Sequence, residues 1–296
     1  MSANGMPCKI CRSADAPVRF RLYGKAVIVR RCRACAFTYV DYRADEEHLP
    51  SSAHDLAGVP DALPGAQEKW ALRRRIYEQA CGPLAGKRVL DVGAGGGSWL
   101  AAARAAGAEV CGTEFCATCC AYARQKFCLE LDARPLGSEH WQSRAETFDL
   151  VTFWDVLEHV NDPLSFLRQA AVMLRPGGYA MLSTPVRDTW FDRLGETAYH
   201  CTRGRAGFLL QQRYSQTHLQ IFHSRQLRWV LEKAGLRAVD FRKVHELTFP
   251  VERYFRNMYG DSRPAAAMAR GAQWALRMMP LRNKVVGLFE KSGSER

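Results

Sequence analysis

No apolar run in this 296-residue chain reaches the length of a membrane-spanning helix, although 47% of its residues are hydrophobic. That lack argues against an integral helical membrane protein and leaves ample material for a core. The opening residues, MSANGMPCKICRS, lack the apolar stretch of an export signal, so the expected compartment is cytoplasmic. Eleven cysteines are too few for a disulfide scaffold in a chain this long. In a reducing compartment they read as ligands, packing residues or reactive thiols. The middle of the chain lacks net charge, with 22 basic and 22 acidic side chains in residues 46–241. The overall charge of +12 therefore belongs to the ends, 9 basic against 3 acidic in 1–45 and 11 against 5 in 242–296. Such ends suit nucleic acid, an anionic membrane or a phosphorylated small molecule, and equally an arginine-rich surface with no special partner.

Four of the cysteines are spaced as two knuckles, Cys8-x2-Cys11 and Cys32-x2-Cys35. Two such pairs on the arms of a short hairpin present four thiolates tetrahedrally, the geometry and softness that Zn2+ favours. Between them VRFRLYGKAVIVRRC reads as two strands joined at Tyr23-Gly24-Lys25, so residues 1–45 are expected to form a zinc ribbon. Protein would fill all four positions, which makes the zinc structural. A redox pair or two disulfides is the competing reading. Residues 46–66 are rich in proline, glycine and small residues without periodicity and read as a linker.

From Gln67 onward helical and strand patterns alternate. A leading helix precedes the strand RVLDV. The helix SWLAAARAAG, the strand AEVCGTEF and the helix CATCCAYARQKF follow it. A third strand is expected near CLELDA, a fourth in ETFDLVTFWDVLEHV, a helix in DPLSFLRQAAVMLRPGG and a fifth strand in GYAMLSTP. Strict alternation of this kind implies a parallel sheet covered on both faces, with function at the carboxyl ends of its strands.

The loop after the first of these strands, Gly93-Ala94-Gly95-Gly96-Gly97-Ser98, lacks the third glycine of a dinucleotide fingerprint and the Gly-Lys-Ser/Thr of a P-loop. Asp91 before it is awkward for a pyrophosphate and suits a cationic ligand. Glu114 ends the next strand, where a carboxylate can accept both hydroxyls of a ribose. A ribose and a cationic part without obligatory phosphates describe S-adenosylmethionine, whose carboxylate the following helix N-terminus can receive.

VLDVGAGGG, TEF, FDLVTFWDVLEHVNDPLSFL, LRPGGYAMLSTP and HLQIFHSRQLRWVLEKAGL together resemble the successive motifs of class I S-adenosylmethionine-dependent methyltransferases, over about residues 68–245. The nearest group is the ubiquinone-biosynthesis-like branch, several members of which carry an N-terminal zinc ribbon. The resemblance implies an α/β, Rossmann-like sheet of seven strands with the last one antiparallel, in a methyltransferase domain over 67–296. Residues 283–291 are the candidate last strand, paired with LRAVDFRKVHE. A C-terminal helical insert over about 250–280 would lie on the active-site side. It further implies that Asp91, Gly93, Ala94, Gly95 and Gly97 face the methionine part of the cofactor. Glu114, followed by Phe115, would hold the ribose, and Asp132 and Ala133 would border the adenine. Phe153, Trp154 and Asp155 would wall the sulfonium.

Methyl transfer is an in-line displacement that asks the protein mainly to align and desolvate the reactants. A hydroxyl acceptor also gains from a general base. His218 is the first candidate and His159 the second, with His200 and His223 behind them; for each the competing reading is a structural histidine. Cys116, Cys119, Cys120 and Cys128 suggest a second metal site or, more simply, buried small residues. Trp70 and Tyr77 are expected either over the cofactor or in the core. The basic, partly amphipathic C-terminal stretch allows peripheral membrane contact or packing on its own domain.

Three functions follow. The first is methylation of a small-molecule acceptor, at a hydroxyl of a sugar, quinone-like or secondary-metabolite compound. The second is methylation of rRNA or tRNA, using the basic ribbon residues Arg19, Arg21, Lys25, Arg30, Arg31 and Arg33 with Phe20 and Tyr23 to bind nucleic acid. The third is a non-enzymatic zinc-ribbon interaction protein on a methyltransferase scaffold.

Overall fold

A computed structural model of the chain describes residues 5–42, 66–211, 214, 218–246, 251–252, 256, 260 and 262–292. The linker expected over 46–66 lies, but for Ala66, outside them, as does much of the early part of the expected insert.

The N-terminal segment is a three-stranded antiparallel sheet of β1 (Val18–Leu22), β2 (Val27–Arg31) and β3 (Thr38–Val40). Its hairpin turns at Tyr23-Gly24-Lys25, where φ is +49°, +61° and +78°. Only the middle residue is a glycine, so the two flanking side chains take up a left-handed backbone that they ordinarily resist.

The main body follows the alternation. α1 (Ala66–Cys81) leads into β4 (Arg88–Val92), α2 (Ser98–Ala105), β5 (Glu109–Thr113), α3 (Ala117–Phe127), α4 (Glu139–Gln142), β6 (Phe148–Trp154), α5 (Pro163–Met173) and β7 (Leu174–Pro185). Then come α6 (Trp190–Cys201), α7 (Phe208–Gln211), α8 (Ser224–Lys233), β8 (Leu236–Val244), α9 (Arg263–Met278) and β9 (Lys284–Lys291). The sheet runs β5-β4-β6-β7-β9-β8. Its first four strands are mutually parallel, and β9 is antiparallel to both neighbours, as the resemblance implies.

Among the described residues six strands form the main sheet, where the resemblance implied seven. The stretch near CLELDA contributes a single parallel bridge, Thr113 to Asp132. Asp132 N–H donates to Gly112 O and its carbonyl accepts from Glu114 N–H, both at 2.9 Å. Its carboxylate then accepts from Arg134 N–H at 2.7 Å, which bends the chain away after one residue of pairing.

The ribbon packs on the body. Phe37 lies 5.3 Å from Phe222, and Phe20 lies 5.1 Å from Tyr199 and 5.9 Å from Tyr214 between ring centroids. Val40 N–H donates to Leu219 O at 2.9 Å, and Arg19 pairs with Glu196 at 3.2 Å. Among the described residues no helix is long and apolar enough to cross a membrane.

Candidate functional site

β5 lies on one side of β4 and β6 on the other, so the strand order reverses at β4. The crevice beyond the carboxyl ends at such a reversal is where an open α/β sheet takes its ligand. Asp91 sits there, 1% exposed, its carboxylate accepting from Thr152 Oγ1 at 2.6 Å. The loop glycines Gly93, Gly95 and Gly97 have φ of +70°, +55° and +83°. A Cβ on Gly93 would come within 2.7 Å of Val156, and one on Gly97 within 3.2 Å of Ala123. At Gly95 a Cβ would meet nothing within 4 Å, so this glycine borders open space that a ligand can fill.

Backbone bonds fix the loop against the next strand. Ala94 N–H donates to Thr113 O at 2.9 Å. The half-buried Glu114 carboxylate accepts from Gly95 N–H and from Cys116 N–H, each at 2.8 Å. A carboxylate offers about four acceptor positions, so two stay available to the hydroxyls of a diol. Ser98, which breaks the dinucleotide pattern, accepts from Trp70 Nε1 at 2.8 Å. Phe115 is 53% exposed beside Glu114. Asp132 is gripped by the Arg134 guanidinium at 2.6 Å and approached by His140 at 3.3 Å. The Arg134 hydrogen bonds hold its carboxyl below the usual range despite some desolvation.

The end of β6 divides its side chains. Phe153 is sealed in the core, edge-on to Phe166 at 5.4 Å, which leaves its backbone to line the edge. Trp154 turns the other way into a cluster with Trp70 and Trp99, at 5.8 and 5.3 Å. Trp70 and Tyr77 are both buried core residues. Asp155 takes a left-handed backbone, φ +56°, and its carboxylate accepts from Ser183 Oγ at 2.9 Å and Lys284 Nζ at 2.6 Å.

Lys284 also reaches Glu246 at 3.0 Å, and Glu246 accepts from Arg73 at 2.7 Å with Lys69 at 3.4 Å. Burial alone would raise the Asp155 and Glu246 carboxyls, but the cations beside them prevail. Asp155 is held well below the usual range and Glu246 at about 2. Burial likewise opposes the Lys284 ammonium, and the two carboxylates override it and raise its pKa. The cluster was missed in the sequence. Its trace there is a lysine set directly before the apolar run VVGLF.

Of the four candidate histidines, two converge. His159 and His218 stand 5.0 Å apart between ring centroids. Together with Glu158 they bring one donor atom each within 4.8 Å of the others, a spacing suited to passing a proton or holding a cation. Glu158 is 2% exposed and accepts from Thr184 Oγ1 at 2.9 Å. Burial, reinforced by the Asp155 charge, pushes its carboxyl up to about 8. Sequence reading overlooked Glu158, though it immediately precedes His159. His200 instead lies against Phe20 and Tyr199, on the ribbon side. His223 caps α8, its Nδ1 accepting from Arg225 N–H at 3.4 Å.

Cys8, Cys11, Cys32 and Cys35 bring their sulfurs within 4.8 Å of one another, with Cys8–Cys35 and Cys11–Cys32 at 3.5 Å. A tetrahedron with Zn–S of about 2.3 Å has edges of about 3.8 Å, so the four fit a zinc ion. Cys116 caps α3 by accepting from Cys119 N–H at 3.4 Å, and Cys120 Sγ donates to Glu114 O at 3.3 Å. Among the described residues these cysteines form no metal-spaced group.

A family model described as a methyltransferase domain matches residues 66–240. The chain belongs to this methyltransferase family. The methyltransferase is 40% identical over 105 residues to the ubiquinone biosynthesis O-methyltransferase of Stutzerimonas stutzeri (strain A1501), covering 34% of this chain and 45% of that protein. It therefore spans about half the length of the curated relatives it matches. Among solved structures, phosphoethanolamine N-methyltransferase 2 of Haemonchus contortus, in complex with S-adenosyl-L-methionine, matches with a TM-score of 0.56 at 16% identity, over 86% of this chain and 62% of that one. The cyclase SpnF matches at 0.52 with 18% identity, over 78% and 84%. Likeness at these identities establishes the fold, and a cyclase among such neighbours shows that the fold alone does not set the reaction.

Proposed function

We propose that this methyltransferase acts on a hydroxyl of a small-molecule acceptor, a sugar, quinone-like or secondary-metabolite compound. The catalytic domain would be residues 67–296, and a structural zinc ribbon would be held by Cys8, Cys11, Cys32 and Cys35. When bound, S-adenosylmethionine supplies a methyl group already activated on a sulfonium. Asp91 attracts the cationic methionine end, and Gly93, Ala94, Gly95 and Gly97 let it approach the N-terminus of α2. Glu114 holds the ribose, with Phe115 beside it. Asp132 and Ala133 border the adenine. The backbone of Phe153, with Trp154 and Asp155, walls the reacting centre and excludes water.

The observation that carries the O-methylation reading is the meeting of His159 and His218 just beyond β6, in the segment whose Val156 packs at Gly93. A hydroxyl loses its proton as it is methylated, and a ring nitrogen of His218, with His159 second, accepts it. A carboxylate beside these rings would favour their charged form. Glu158, raised to about 8, is largely neutral at pH 7 and leaves them able to accept a proton. The name of the similar bacterial proteins, O-methyltransferases, points the same way.

The RNA reading is less well supported. Phe20, half of its stacking platform, is fully buried, while Arg19 and Arg30 are spent on Glu196 and Asp41. The test is a screen for transfer of an isotopically labelled methyl group to hydroxylated small molecules and to RNA. Label in a small molecule, with His218→Ala lowering turnover while cofactor affinity holds, is the expected result. Label in RNA alone overturns the proposal, and full activity of His218→Ala overturns the assignment of the base.

A further inference from the structure

Among the described residues, four of the twelve exposed large apolar side chains lie on α9 or directly after it. Met268 is 50% exposed, Trp274 68%, Met278 67% and the adjoining Met279 60%. Residues Ala267, Met268, Gly271, Trp274, Ala275 and Met278 recur at the three- and four-residue spacing of one helix face, and all six are exposed. The opposite side of α9 is the one that packs, with Ala269 buried and Ala272, Gln273 and Leu276 half-buried. The helix thus inverts the usual pattern, turning its largest apolar side chains to the outside. A continuous patch of this kind marks an interaction surface.

The charge around it selects the occupant. Residues 262–289 contain five basic side chains and no acidic one. Arg263 and Arg270, seven residues apart and both exposed, flank the apolar face along the helix. A second copy docked across a two-fold axis would bring these like charges together. An anionic bilayer has no such conflict, since its headgroups take the arginines and its acyl boundary takes Trp and Met.

The position of the helix in the fold gives this consequence. Val244, at the end of β8, pairs with Lys284, at the start of β9, so the insert leaves and rejoins the sheet at its catalytic edge. We propose that α9 is an interfacial anchor that docks this edge of the protein on anionic lipid. The inference does not depend on the identity of the acceptor, and it is tested without one.

The full-length chain is sedimented with vesicles of phosphatidylcholine alone and with vesicles containing phosphatidylglycerol. Binding to the anionic vesicles, weakened by raised salt, is expected. Trp274→Ser should weaken it roughly tenfold through the lost apolar contact, and Arg270→Gln about fivefold. Both residues are exposed, so the circular-dichroism melt and S-adenosylmethionine affinity of each variant should match those of the parent chain. Failure to sediment with anionic vesicles at low salt overturns the proposal. So does a concentration-dependent dimer that Trp274→Ser dissociates, because a second copy would then cover the face.

Discussion

Glu158 shows how much a single buried carboxyl can govern. Its folded pKa of about 8 lies above its ordinary value of 4.5. A carboxyl raised in this way binds its proton more tightly folded than unfolded, so its stabilisation is complete below about 4.5 and is lost as pH rises through about 8. Glu158→Gln should therefore flatten the fall in stability across that window, which urea titrations at several pH values would show. A slope unchanged in the variant would mean that Glu158 is ionised in the native state. Glu114 makes a different prediction. With its carboxylate already fixed by two backbone donors, Glu114→Ala removes an aimed acceptor and frees the Gly95 N–H. Calorimetry should find S-adenosylmethionine affinity down by roughly tenfold to a hundredfold, the scale of one or two charge-assisted hydrogen bonds.

At the scale of elements, what the sequence revealed were features set by neighbours in the chain. Val89 to Val92 followed by the glycine loop and an alanine-rich helix can be read locally, and so can Glu114 at the end of the next strand. Contacts between distant segments left little trace. Asp155 meets Lys284 across 129 residues, and nothing near either one announces the other. Phe153 and Trp154 are adjacent letters, yet the pleat sends one against Phe166 and the other into the cluster of Trp70 and Trp99. The expected third strand failed because a one-residue bridge has the same local composition as an edge strand. The Asp155–Lys284–Glu246 link joins the ends of β6, β8 and β9, so its loss should be felt by all three. Lys284→Met would take away the ammonium that both carboxylates share, leaving Glu246 to Arg73 and Lys69 and Asp155 to Ser183. A loss of about 3–5 kcal/mol in urea unfolding is expected, the usual cost of removing one partner from a buried ion pair. Gly93→Ala should likewise destabilise more than Gly95→Ala, since both face a positive φ but only the first also collides with Val156.

At the scale of the molecule, the question is whether the ribbon is an appendage or part of the body. Cys8, Ile10, Ala16, Cys32, Phe37 and Tyr39 belong to the same buried cluster as Leu90, Phe153 and Leu182 of the main sheet. Arg12 pairs with Asp162 at the start of α5, and Gln226 of α8 donates to Cys35 O at 3.3 Å. A segment this short cannot bury enough apolar surface to fold alone, so a zinc ion at the four cysteines would hold the ribbon and, through it, one wall of the body. Removing the metal should therefore lower the stability of the whole. With a strong chelator, or in Cys11→Ser, circular dichroism and the fluorescence of core tryptophans such as Trp99 and Trp141 should report one transition at a lower temperature. An appendage would behave otherwise: the ribbon would melt by itself, and the tryptophan transition would stay where it was. Coincidence of the two signals after chelation is thus the measurement that separates a shared core from two units joined by a linker.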